Sequence, residues 1–288
     1  MAASLRSLLR IRTLTAALMA MFLVATVHAQ SQASCTFHTF ALNSSPQIFI
    51  TGVNDYGTVV GFADFGVNAT PQYRGFIHYS GGSTSYWVPS GTKQSSFGGR
   101  NDGGVTTGYF YDSSFRGHPV LLKGATLTAI STPGNGSPNG INKYGSIAGG
   151  YTDNAGTGHG FKRYANGSAI VLNFPGAVNT DAVGINDSGV VVGTYVGTDA
   201  AEHGFIYRNG AWAKLQYPTA TQSTELYGIS NNGVIVGQGQ AHAFLYTNGT
   251  FKDISVPGSS GTQVRAIAPG GLIAGMADLT HGFLASCH

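Results

Sequence analysis

Charge is what this chain has least of. Of its 288 residues only 9% are Asp, Glu, Lys or Arg, against about 25% in ordinary soluble domains. Glu202 and Glu225 are its only glutamates, so the paired acids of glycoside hydrolysis have few candidates. No Gly-x-Ser-x-Gly elbow, phosphate loop or His-Glu-x-x-His string occurs, which leaves acyl transfer, nucleotide and zinc-hydrolase chemistry without a motif. Helical periodicity of useful length is missing after residue 30, which excludes a helical fold. Cysteine is confined to Cys35 and Cys287. Hydrophobic residues nevertheless make up 42% of the chain and glycine 43 positions, a composition that suits a turn-rich β protein with a real core rather than a disordered chain.

Only one long apolar run exists. Leu14 to Val27 spans 14 residues, short of the roughly 20 that a transmembrane helix needs. Arg6, Arg10 and Arg12 precede it and Val27-His28-Ala29 follows as a small-x-small cleavage site. The pattern predicts a secretory signal over residues 1–29, cleaved to leave Gln30 first, and a mature domain over 30–288. Export is then to the periplasm or the extracellular medium, with no membrane span. The formal charge of +3 belongs to the leader, because its three arginines leave twelve basic and twelve acidic residues behind. Nothing in that balance favours nucleic acid as a partner.

What is abundant is repetition. A ten-residue phrase reads GVNDYGTVVG from Gly52, GRNDGGVTTG from Gly99, GINKYGSIAG from Gly140, GINDSGVVVG from Gly184 and GISNNGVIVG from Gly228. A worn copy, AIAPGGLIAG, begins at Ala266, and successive starts lie 47, 41, 44, 44 and 38 residues apart. A period of this size marks a repeat architecture. In the fourth unit, Asp181 to Ile185 reads as a strand, Asn186-Asp-Ser-Gly189 as a turn and Val190 to Tyr195 as a second strand. His203 to Arg208 is a third strand, Asn209-Gly210 a hairpin signal, and Ala211 to Tyr217 a fourth strand stopped by Pro218. Four hairpin-linked strands per unit predict an all-β, single six-bladed β-propeller of four-stranded antiparallel blades. A parallel β-helix is the main rival, but its coils do not use Asn-Gly hairpins.

The sixth unit ends after its third strand, at His281 to Cys287. The segment Cys35 to Leu42 precedes the first unit and resembles a fourth strand, so the N-terminal strand is expected to complete the last blade. In that register Cys35 and Cys287 fall where other units carry the Asn-Gly turn. A disulfide there would replace the missing hairpin. Acylation of Cys35 is a rival reading, weakened by the absence of a leucine in Gln32-Ala33-Ser34.

Two polar positions recur in register. The loop after the second strand carries Asp64, Asp112, Asp153, Asp199 and Asp278. The third strand opens on Arg74, Arg116, His159, His203, His242 and His281. All would face one end of the ring, where they could line a ligand site together with Tyr73 of the longest loop. They could equally pin each loop once per blade. One imidazole per blade is too sparse for a tetrahedral metal site, and no metal or cofactor is expected. Phe62, Tyr109, Tyr151 and Tyr195 could stack on sugars or pack between blades. Asn54-Asp55, Asn101-Asp102 and Asn186-Asp187 read as turn residues.

The unit resembles the probable extracellular repeat named for its His-Ala-Phe tripeptide, present as His242-Ala243-Phe244. His159-Gly-Phe161, His203-Gly-Phe205 and His281-Gly-Phe283 are variants. With the glycine phrase, the resemblance covers residues 35–287. It implies an exported bacterial protein and no particular activity. Two functions are compatible with the sequence. One is a non-catalytic binding or scaffold module for a saccharide or an extracellular protein, expected to be a monomer. The other is an enzyme acting on an extracellular polymer from the loop-bearing face.

Overall fold

Each copy of the phrase folds as the first hairpin of a blade. The protein is described as a computed structural model over residues 31–42, 47–66, 71–220, 222–278 and 280–288. The leader expected at 1–29 lies outside the described residues. Six antiparallel four-stranded sheets follow one another around a ring, as the repeat period requires. The fourth blade pairs Asn179–Ile185, Val191–Val196, Glu202–Arg208 and Ala211–Leu215 in sequence order. One 3-10 turn, Pro133–Asn135, is the single helical element among the described residues.

The glycines of the phrase are there for backbone proximity. A methyl on Gly184 would lie 2.8 Å from the Cα of Gly228 in the next blade, so the innermost strands can touch only where the side chain is missing. A methyl on Gly193 would overlap the carbonyl oxygen of Asp181 within its own blade. The innermost strand carries a bulge at this level in every blade, between Ala182 and Gly184 in the fourth. These contacts narrow the axis to a cavity of about 50 Å³.

The phenylalanine of the tripeptide is core. Phe76, Phe161, Phe205, Phe244 and Phe283 are fully buried between sheets, each worth about 2–3 kcal/mol of apolar transfer. The second blade has Val120 there, and Phe97 of its first strand fills the space against Gly108.

The ring closes by its two ends. Cys35–Ala41 pairs antiparallel with His281–Cys287, Cys35 directly opposite Cys287, and the two are bonded with an S–S distance of 2.05 Å. Phe205 pairs with Lys214 and Phe283 with Thr39. Counting four residues from each shows the cysteines at the places of Asn209 and Gly210. A further contact is not legible in the sequence. Ser31–Gln32 adds a parallel strand to Thr250–Ile254, the outer edge of the fifth blade. The N-terminal segment therefore ties the fifth blade to the sixth.

The Asn-Asp turns also bind blade to blade. Asn186 Oδ1 accepts the Val190 amide within its turn, and its Nδ2 donates to the Ser230 carbonyl of the next blade at 3.1 Å. Asn101 and Asn142 do the same toward Asn142 and Asn186. An outer set runs alongside: the Asp187 amide donates to Asn231 Oδ1, and the Gly270 amide to Asp55 Oδ1 across the closure. Crowding raises the Asp102 carboxyl, first by burial and then through Asp55 and Asp187.

Candidate functional site

Antiparallel pairing puts the loops after the second strands at the same end as the start of the first strands. Gln47 faces Asp64, and Asn179 faces Val196. The recurrent acids and histidines therefore share this loop end, and the Asn-Asp turns lie at the other.

At the loop end the recurrent pairs form inside single blades. Asp153 Oδ1 accepts the Ala155 and Thr157 amides, while its Oδ2 lies 3.1 Å from His159 Nε2. The far side of that ring meets Asn173 Oδ1 at 2.8 Å. Asp199 and His203 repeat the pairing at 3.1 Å, with Gln216 behind the imidazole. Asp278 and His281 meet at 2.9 Å. These carboxyls sit below their ordinary range: the histidine hydrogen bond is the leading cause for Asp153, and a backbone amide for Asp199 and Asp278. In the first blade Asp64 accepts the Gly66 and Gln72 amides, and Arg74 lies over the Phe65 ring at 4.6 Å.

Two blades depart from the sequence alignment. In the second, the third strand is Gly117–Lys123, and His118, not Arg116, stands in register with His159. Asp112 pairs with His118 at 3.0 Å and takes only the backbone amide of Arg116. His118 follows Gly108 by ten residues, as His159 follows Gly149 and His203 follows Gly193, but Pro119-Val120 stands where those strands carry Gly-Phe. In the fifth, which lacks the loop acid, His242 stacks on Tyr217 and reaches Asp253 of the fourth strand at 3.6 Å. Tyr217 donates to the same carboxyl at 2.7 Å. Among the described residues no three His, Cys, Asp or Glu side chains form a metal-sized group.

The aromatics divide into two uses. Tyr195 stacks on Phe174 at 3.8 Å and Trp87 on Phe97 at 5.1 Å, as packing. Between the first two blades the rings instead line an open cleft of about 350 Å³. Phe49 and Phe62 stack at 4.7 Å with Tyr73 edge-on to both, and Tyr109 and Tyr111 stand opposite at 5.3 Å from each other. Gln94 and Ser96 supply polar atoms along the cleft, while the Ser95 hydroxyl is buried against the Trp87 carbonyl and the Gly75 amide.

The cleft continues through Phe62, Ser96 and Tyr109 into the mouth of the axial channel, a cavity of about 290 Å³. Its walls are the innermost strands, whose axis-facing residues lie one and three positions before each phrase, as a period of two requires. Three positions before stand Phe49, Ser96, Ser137, Asp181, Glu225 and Gln263. One position before stand Thr51, Gly98, Asn139, Val183, Tyr227 and Arg265. The first two blades thus give the mouth an aromatic and hydroxyl side, and the last three a charged side.

On the charged side, Tyr227 donates to Glu225 Oε2 at 2.5 Å, and its ring lies 4.7 Å beneath the Arg265 guanidinium. Burial raises the Tyr227 hydroxyl above its ordinary value. Arg265 Nη2 donates to Gln263 Oε1 at 2.8 Å. Asp181 stands over Gly150 of the preceding blade. Water reaches it from the channel, yet the surrounding protein pushes its carboxyl up to about 6 by desolvation. At the rim, burial and then the Glu225 charge raise Glu202. The two glutamates, 23 residues apart in the chain, belong to one electrostatic neighbourhood. Residues at the mouth escape motif reading because they vary from unit to unit. Their signal is that disagreement at two positions flanking an otherwise repeated phrase.

No protein-family model and no curated protein matches the chain. Solved propellers do match its fold. Virginiamycin B lyase from Staphylococcus aureus superposes with a TM-score of 0.52 at 11% identity, covering 88% of this chain and 99% of the lyase. The Aleuria aurantia lectin in complex with α-methyl-L-fucoside gives 0.51 at 11% identity, covering 87% and 96%. TolB from Acinetobacter baumannii gives 0.53 at 14% identity, covering 81% of this chain and 65% of TolB. At these identities the likeness is one of fold. Propellers of this kind include binding proteins and enzymes.

Proposed function

We propose that this chain is an exported, non-catalytic binding module that holds a saccharide in the aromatic cleft between its first two blades. The observation that carries the reading is the cleft itself: five aromatic rings, from Phe49, Phe62, Tyr73, Tyr109 and Tyr111, line about 350 Å³ together with Gln94 and Ser96. Sugar rings offer apolar C–H faces and hydroxyl edges, and such a surface meets both. The leader-like segment, the resemblance to the His-Ala-Phe repeat and the Cys35–Cys287 disulfide support export, since disulfides persist in oxidising compartments. The recurrent Asp and His pairs serve the loops in this reading.

A glycan array with the mature protein, followed by calorimetry on the hits, tests it. Tyr111→Ala, at a partly exposed ring, is expected to weaken a hit about tenfold, near 1.4 kcal/mol. Asp199→Asn is expected to leave it unchanged. Failure of every neutral glycan to bind would overturn the reading.

One observation favours a polymer-acting enzyme instead. Asp181 lines the mouth and is held protonated up to about pH 6 by desolvation, as a general acid requires, and Glu202 at the rim is raised by burial and then by Glu225. Product release from a bound polymer, lost in Asp181→Asn, would decide for catalysis.

A further inference from the structure

Asp181 and Arg265 line the same channel-mouth cavity of about 290 Å³ from the fourth and sixth blades. Among the described residues Asp181 has neither a hydrogen-bond nor an ion-pair partner. Arg265 has only the neutral Gln263 amide and the face of Tyr227. The chain has few charges, and at this end Asp64, Asp153, Asp199, Glu225 and Asp278 are tied to a histidine, a tyrosine or backbone amides. Here a carboxylate and a guanidinium face one space without meeting. Opposite charges held apart across one recess suit a ligand that carries both complementary charges. A single cation would leave Arg265 unmatched, and a single anion would leave Asp181 unmatched.

The channel also narrows below the mouth. Backbone contacts at the glycine level narrow the axis to about 50 Å³, so a ligand entering from the loop end stops beside these two residues. Tyr227 stands between them on the fifth blade, and Asn139 and Ser96 complete the wall with neutral donors and acceptors.

We propose that the channel mouth binds a small zwitterion, an α-amino acid or a molecule carrying the same ammonium and carboxylate, with Asp181 receiving the ammonium and Arg265 the carboxylate. Arg265 is suited to the second task, because a planar guanidinium braced by Gln263 and Tyr227 keeps free edges for a bidentate carboxylate. The site stands apart from the saccharide reading, although the two cavities share a wall.

The test is calorimetric titration of the mature protein at pH 7.5 with glycine, L-alanine, L-serine and L-glutamine, each beside ethylamine and acetate as half-ligands. At least one amino acid is expected to bind with a dissociation constant of about 1 mM or tighter, and both half-ligands about tenfold more weakly. Asp181→Asn and Arg265→Gln should each cost about tenfold, with far-ultraviolet spectra and the disulfide unchanged. Tyr111→Ala should leave amino-acid binding intact, which separates this site from the aromatic cleft. Absence of binding by all four amino acids overturns the proposal. So do acetate binding as tightly as the amino acids, and equal binding by the two channel variants.

Discussion

Cys35 and Cys287 face each other as the last pair of the outermost ladder of the sixth blade, in the places that Gly210 and Asn209 occupy in the fourth. A covalent bond between the chain ends stands where the other blades have a two-residue turn.

Breaking that bond should release the ring. The disulfide closes a loop with a sequence separation of 252, for which the chain-entropy model gives up to about 5 kcal/mol. Urea unfolding of Cys35→Ser/Cys287→Ser against the oxidised protein is expected to show a loss of about 3–5 kcal/mol. A loss below about 1 kcal/mol would mean that strand pairing alone closes the propeller.

Asn186 carries two buried duties, to Val190 within its turn and to Ser230 in the next blade. Asn186→Ala leaves the Val190 amide and the Ser230 carbonyl without these partners. The expected cost is about 2–4 kcal/mol. Asn166→Ala, at an exposed hairpin whose carboxamide serves only Ser168, should cost about 0.5 kcal/mol or less. Thermal unfolding of both variants checks the contrast.

Glycine should be replaceable at the rim and not at the axis. Gly184→Ala forces Cβ to within 2.8 Å of the Gly228 Cα, and overpacking of backbone on backbone should cost about 3 kcal/mol. Gly261→Ala meets nothing within 4 Å, so its midpoint should stay within the scatter of the wild type.

The pH dependence should carry two opposite contributions. Desolvation lifts the Asp181 carboxyl to about 6, so the folded chain binds this proton more tightly than the unfolded one. That contribution is present at low pH and is lost as pH rises from about 4 through 6. Asp181→Asn removes it, and the variant should exceed the wild type by about 1 kcal/mol at pH 7.5, after discounting for channel water, and match it near pH 4. The loop acids Asp112, Asp153, Asp199 and Asp278 are held below their ordinary values. Their contribution is present above the ordinary carboxylate value and fades as pH falls. Urea midpoints for wild type and variant across this range measure both.

Much of the fold was legible because its signals are local. The Asn-Gly dipeptides at 209–210 and 248–249 sit in the left-handed region that such hairpins need, and the stops at Pro175 and Pro218 follow the fourth strands at Leu172 and Leu215. Counting strands then forced the closure. His118 was missed because Pro119-Val120 follows it in place of Gly-Phe, so alignment settled on the nearer Arg116 although His118 keeps the spacing of His159 and His203. The added strand at Ser31–Gln32 has no signal, since a pair of residues on a sheet edge has no periodicity to show.

The candidate site was least legible. Asp181 and Arg265 lie 84 positions apart and belong to no shared motif. Their sharing of one cavity depends on six first strands pointing the same alternate residues at one axis. The sequence by itself determined the period, the hairpins and the pairing of the ends, because each depends on short-range backbone preference or on counting. Only the tertiary structure decided which polar residues share a cavity. Ring closure converts positions that never neighbour one another in the chain into the walls of one small space.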